Sequence, residues 1–180
     1  CVTAIRERSP GTAVETLISD AAGDDRSLAH LLAVRPDVLN HNLETVARLQ
    51  RVVRPSAGYA RSLAVLSRAA DAGLVTKSGI MLGIGEREAE IEGCLADLAS
   101  IGVSVVTLGQ YLRPTSHHLP VDRWVEPVEF DHWASVGRAL GIAHLESSPL
   151  TRSSHHAGQA ARAVDAVPVS LGSRVAGTPA

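Results

Sequence analysis

The feature that most restricts the fold is an alternation of two periodicities along the whole chain. Val14-Glu15-Thr16-Leu17-Ile18-Ser19 reads as a strand. The helix after it is N-capped by Ser27, carries Leu28, Leu31 and Leu32 as its apolar stripe, and stops at Arg35-Pro36. A short strand over Asp37 to Asn40 follows, then a brief helix on Leu43, Val46 and Leu49 that ends near Arg54-Pro55. Tyr59, Leu63, Leu66 and Ala70 recur at helical spacing before Gly73. Ser78 to Leu82 is the third strand, and Ile91, Cys94, Leu95 and Leu98 form the next helix face, which ends at Gly102. The run Val103, Val105, Val106, Leu108 is a fourth strand, ending at Gly109. Pro127 opens a helix through Phe130, Trp133, Val136 and Leu140, and Ile142 to Leu145 is a fifth strand. Strand and helix alternating in this way predict an α/β fold with a parallel sheet. Five β/α steps do not close an eight-stranded barrel, so the expected architecture is the later part of an open or partial (β/α) barrel.

At 180 residues the chain is long enough for one domain with a real core. The expected domain covers residues 1–157, incomplete at its N-terminus, with a frayed helix and disordered tail over 158–180, where Ala, Gly, Val, Ser and Pro dominate. Val2 to Arg8 reads as the end of a helix and the first residue is Cys1, which together predict a fragment. A formal charge of −2 without a long basic run argues against nucleic-acid binding. No apolar stretch reaches membrane length. Cys1 and Cys94 make no disulfide framework, so a cytoplasmic location is expected.

Chemistry-bearing residues gather where predicted strands end. Gln110, Tyr111 and Leu112 follow the fourth strand, and Arg113, His117, His118 and Arg123 add positive charge and donors. A metal reading of His117-His118 lacks a third ligand at a recognised spacing, and adjacent side chains in an extended segment point apart. His155-His156 invites the same objection. Asn40, Asn42 and Glu44 stand at a strand-to-helix junction, where they suit either a helix cap or a grip on sugar hydroxyls and amino groups. Gly83 and Gly85 suit a tight turn, and Glu88 stands where a dinucleotide fingerprint needs a third glycine. Lys77 is read equally as a rim charge or a substrate contact. Arg152-Ser153-Ser154 is by chemistry a polar loop, a modification site or a helix N-cap.

Four stretches, in order and at plausible spacing, resemble lipoyl synthases of the radical S-adenosylmethionine superfamily: Asn40-His41-Asn42-Leu43-Glu44-Thr45, Thr76 to Glu86, Thr107 to Pro120, and Arg152-Ser153-Ser154. The second fits Gly-x-Ile-x-Gly-x-x-Glu, with Met81 in the Ile position. The resemblance implies the C-terminal part of a six-stranded partial TIM-like barrel. It also implies reductive cleavage of S-adenosylmethionine and insertion of two sulfur atoms into a protein-bound octanoyl chain. By resemblance, Asn42, Glu44, Gly79, Gly83, Glu86, Gln110 and Leu112 hold S-adenosylmethionine, and Lys77, Arg113 and His118 contact substrate. Ser154 is the implied ligand of an auxiliary 4Fe-4S cluster, one of two clusters in the complete enzyme. The implied partners are an octanoylated lipoyl-domain protein, of the 2-oxoacid dehydrogenase E2 or glycine cleavage H protein type, and an electron donor such as ferredoxin or flavodoxin. The sequence departs from the family pattern at Ser19 and Ala21, where proline and phenylalanine are usual, and at His155, where tyrosine is usual. It holds neither cysteine triplet that the clusters require, so this chain alone is expected to be inactive. The alternatives are a non-catalytic remnant and an unrelated metal- or phosphate-binding α/β module.

Overall fold

The computed structural model describes residues 1–154. Helix α1 (Val2–Arg8) leads into strand β1 (Glu15–Leu17), helix α2 (Asp25–Val34) and strand β2 (Val38–Asn40). After helices α3 (Gln50–Val53) and α4 (Tyr59–Asp71) come β3 (Val75–Leu82), α5 (Glu88–Ser100), β4 (Val105–Gln110), α6 (Pro127–Ala139) and β5 (His144–Ser147). The five strands form one sheet in the order β1-β2-β3-β4-β5, and every neighbouring pair is parallel. Because each right-handed crossover steps to the next strand in the same direction, all the crossover helices fall on one face. That is the winding of a (β/α) barrel; a doubly wound sheet reverses direction at a switch point.

The two faces of the sheet differ in chemistry. Toward the helices, Ile80 and Leu82 of β3 and Val106 and Leu108 of β4 join Ile91, Leu95 and Leu98 of α5 and Phe130 and Trp133 of α6 in one core. The other face is polar. Lys77 is in register with Asn40, and Gly79 with Thr107, which in turn aligns with Glu146. Side chains two apart on a strand share a face, so these residues line one side of the sheet.

Several boundaries depart from the expected ones. The N-cap of α2 is Asp24, whose carboxylate accepts from Ser27 N at 2.9 Å, so Ser27 is capped and does not cap. Strand β3 begins at Val75, ahead of Ser78, because Val75, Thr76 and Lys77 all pair with β2 and Lys77 pairs with β4 as well. The segment Leu43 to Val46 is not helical. Glu44 continues the pairing with β3 through a bridge to Ile80, and the helical turn starts only at Ala47. The polar tail expected over 158–180 and the His155-His156 pair lie outside the described residues.

Candidate binding site at the carboxyl ends of the strands

A cavity of about 420 Å³ opens at the carboxyl ends of the strands. Asn42 and Glu44 form one wall, Gly79 and Met81 the floor, Thr107, Gly109 and Gln110 the next wall, and Thr151 to Ser153 the far rim. Five of the seven predicted cofactor residues meet here: Asn42, Glu44, Gly79, Gln110 and Leu112.

Gly79 makes the floor open. A Cβ at this position would lie 2.8 Å from Thr107 Oγ1 and 2.9 Å from Asn42 Oδ1, so any side chain would fill the space between the two walls. Asn42 contributes an acceptor with nothing to accept. Its side chain hydrogen-bonds the Glu44 carboxyl, while its Oδ1 is buried without a partner among the described residues. A buried unpaired oxygen of this kind costs stability unless a ligand donor meets it. Burial raises the Glu44 carboxyl above its ordinary range, opposed by the bond from Asn42 and by the Arg54 charge. Gln110 is fixed by three backbone bonds. Its Nε2 donates to Tyr111 O and Arg123 O, and its Oε1 accepts from Val125 N.

The remaining predicted residues lie elsewhere. Gly83 and Glu86 build the turn after β3. Gly83 has φ +96°, and a Cβ there would come within 2.5 Å of Arg123 O and Gln110 Nε2. The Glu86 carboxylate accepts from Gly83 N and Ile84 N at 2.5 and 2.9 Å, so this side chain closes the turn and does not line the cavity. Lys77 is 1% exposed beneath the cavity. Its Nζ lies 3.1 Å from Glu15 Oε2, and Glu15 also accepts from Asn40 Nδ2 at 2.7 Å. Arg113 donates to His118 O and Ser116 O of its own loop, and His118 Nδ1 is 2.9 Å from Thr115 Oγ1. His117 and His118 face a second cavity, which shares Glu44, Met81 and Leu112 with the first. Ser154 is exposed and borders a separate groove with Glu15, Leu17, Asn40 and Ser153, whereas Ser153 reaches the main cavity.

Sequence reasoning did not single out Thr107, Gly109 or Thr151 as wall residues. Thr107 and Gly109 interrupt an apolar strand at a spacing of two, which is the pattern of an inner face. Thr151 carries no such signal.

These features make a pocket at the strand ends of a parallel α/β sheet, with an unpaired acceptor on one wall. The family model of the Radical SAM superfamily matches residues 2–98, just over half the chain, and the protein belongs to that superfamily. Within it, similar curated proteins include lipoyl synthases. The chain is 51% identical to that of Cronobacter sakazakii over 160 residues, covering 87% of this chain and 50% of the relative. It is 49% identical to that of Rubrobacter xylanophilus over 158 residues, covering 87% and 49%. The expected resemblance to lipoyl synthases thus holds over most of the sequence, and the chain spans about half the length of these curated relatives. A solved radical S-adenosylmethionine methyltransferase, TsrM from Kitasatospora setae, aligns with 59% of this chain and 22% of its own at 12% identity and a TM-score of 0.45. Among the described residues, no helix is long and apolar enough to cross a membrane.

Proposed function

We propose that this chain supplies the S-adenosylmethionine-holding part of a lipoyl synthase, the enzyme that inserts two sulfur atoms into a protein-bound octanoyl chain. The observation that carries the reading is the buried, unpartnered Asn42 Oδ1 facing the bare floor at Gly79. S-adenosylmethionine offers an ammonium group, two ribose hydroxyls and an adenine amine, all donors. Asn42 Oδ1 and the Glu44 carboxyl are the matching acceptors, and Met81 and Leu112 give apolar surface for a flat ring. When bound and reduced by one electron, S-adenosylmethionine supplies the means of abstracting hydrogen from an unactivated carbon. The chain's own residues bind it, orient it and keep water from the inner face of the sheet.

The residues present do not fit an iron–sulfur cluster. Cys94 is buried in the helical layer, where its thiol is pushed up to about 12, and Cys1 is exposed. Among the described residues, no group of three His, Cys, Asp or Glu side chains could hold a metal ion. Ser154, exposed beside the groove it shares with Glu15 and Asn40, remains the proposed ligand of an auxiliary cluster, and the sequence holds no cysteine triplet to complete it. The chain by itself is therefore catalytically silent. Its proposed partners are an octanoylated lipoyl-domain protein and a small electron carrier such as ferredoxin or flavodoxin, in the cytoplasm.

The test is calorimetric titration of the chain with S-adenosylmethionine, beside an anaerobic assay for 5′-deoxyadenosine and lipoyl product. Binding without turnover is expected. Absence of binding would sink the site reading, and turnover by this chain alone would sink the claim of silence.

A further inference from the structure

Glu44 occupies the left-handed region, with φ +66°, where a residue bearing a Cβ is disfavoured. Such a conformation persists only where its surroundings hold it. Strand β2 has ended at Asn40, yet residue 44 still pairs with β3. Its N donates to Gly79 O and its O accepts from Met81 N, both at 2.9 Å. The carbonyls beside it are met by side chains from the two ends of α3, Gln50 at its start and Arg54 just past its last residue. Gln50 Nε2 donates to Leu43 O at 2.7 Å and Thr45 O at 3.0 Å, one bond on each side of Glu44. Arg54 Nη1 donates to Asn42 O at 2.7 Å and Leu43 O at 3.2 Å. Gln50 is 3% exposed, and both its partners are carbonyls, which fixes the orientation of its amide. Neither side chain lines the main cavity.

We propose that Gln50 and Arg54 are positioning residues of the S-adenosylmethionine site: together they clamp the 42–45 turn so that Asn42 and Glu44 both face the cavity. The proposal rests on the site reading above. Four carbonyl contacts from two side chains replace the ladder bonds that the turn forfeits when it leaves the strand. Arg54 has a second effect, since its positive charge favours the ionised form of the Glu44 carboxyl.

The experiment measures S-adenosylmethionine affinity for the wild-type chain and for Arg54→Met, Arg54→Lys and Gln50→Met, each again in an Asn42→Ala background. Arg54→Met and Gln50→Met should each weaken binding by about tenfold, while adding less than about threefold further loss once Asn42 is alanine. Arg54→Lys should recover part of the loss, because it keeps the charge without the planar fork. A merely structural role would cost the same affinity in both backgrounds, and that result, or wild-type affinity in the single variants, overturns the proposal. If the wild-type chain does not bind S-adenosylmethionine, the site reading fails separately, and amide exchange judges the clamp. The Glu44 and Met81 amides should then exchange about tenfold faster in Arg54→Met and Gln50→Met, with Ile91 in α5 unchanged. Unchanged rates at Glu44 and Met81 would overturn it.

Discussion

Replacing Lys77 by methionine tests the layer beneath the cavity. Lys77 is almost fully buried, and its Nζ lies 3.1 Å from Glu15 Oε2. At that distance the attraction is about 5 kcal/mol for an effective dielectric near 20, much of it offset by desolvation of the two charges. Removing one partner strands the other, which for buried pairs costs about 3–5 kcal/mol. The Glu15 side chain is 21% exposed and keeps its bond from Asn40, so the lower end of that range, about 3 kcal/mol, applies. For a domain of this size that is a fall in Tm of roughly 6–12 °C, followed by circular dichroism. Removing both charges, in Lys77→Met with Glu15→Gln, should recover most of the loss, because no uncompensated ion remains. A Lys77→Met chain that melts within about 1 °C of wild type would refute the reasoning, as would a double variant no more stable than the single.

Two further outcomes follow from the site. Gly79→Ala places a methyl between Thr107 Oγ1 and Asn42 Oδ1, and it should weaken S-adenosylmethionine binding at least tenfold while costing about 1–3 kcal/mol of stability; equal affinity in calorimetry would refute it. Burial raises the Glu44 carboxyl, so the folded state favours its protonated form; that stability is present below the ordinary value of 4.5 and lost as pH rises through the raised value. Melts between acid and neutral pH should therefore show Glu44→Gln gaining on wild type as pH rises, and a constant difference would contradict the burial argument.

Much of the fold was legible because it rests on periodicity. The stripe Ile91, Cys94, Leu95 and Leu98 and, from the apolar run, Val103, Val106 and Leu108 are all in the core. The 42–46 segment carries a misleading helical signal, because Leu43 and Val46 are buried at helical spacing while Glu44 between them is left-handed and bridges to Ile80. That pairing is long-range, and no local pattern encodes it. Lys77 illustrates the same limit. Its partner Glu15 is sixty-two positions away, brought close only by the β1-β2-β3 order. Gln50 and Arg54 gave no signal at all, because their role lies in which carbonyls they reach. Asn42 and Glu44 are expected from family resemblance, and the strand-end geometry supplies a physical reason for their nearness to Gly79.

The central claim is that S-adenosylmethionine occupies the inner face of the sheet at the ends of β2, β3 and β4. Amide chemical-shift mapping of the isotope-labelled chain during titration with S-adenosylmethionine tests it most directly. The largest shifts should fall on residues 42–44, 79–81 and 107–112. A separate cavity of about 250 Å³ lies between the β1–α2 loop and α4, lined by Leu28, Leu31, Arg61 and Val65. Shifts centred there, or no shifts at saturating ligand, would contradict the account.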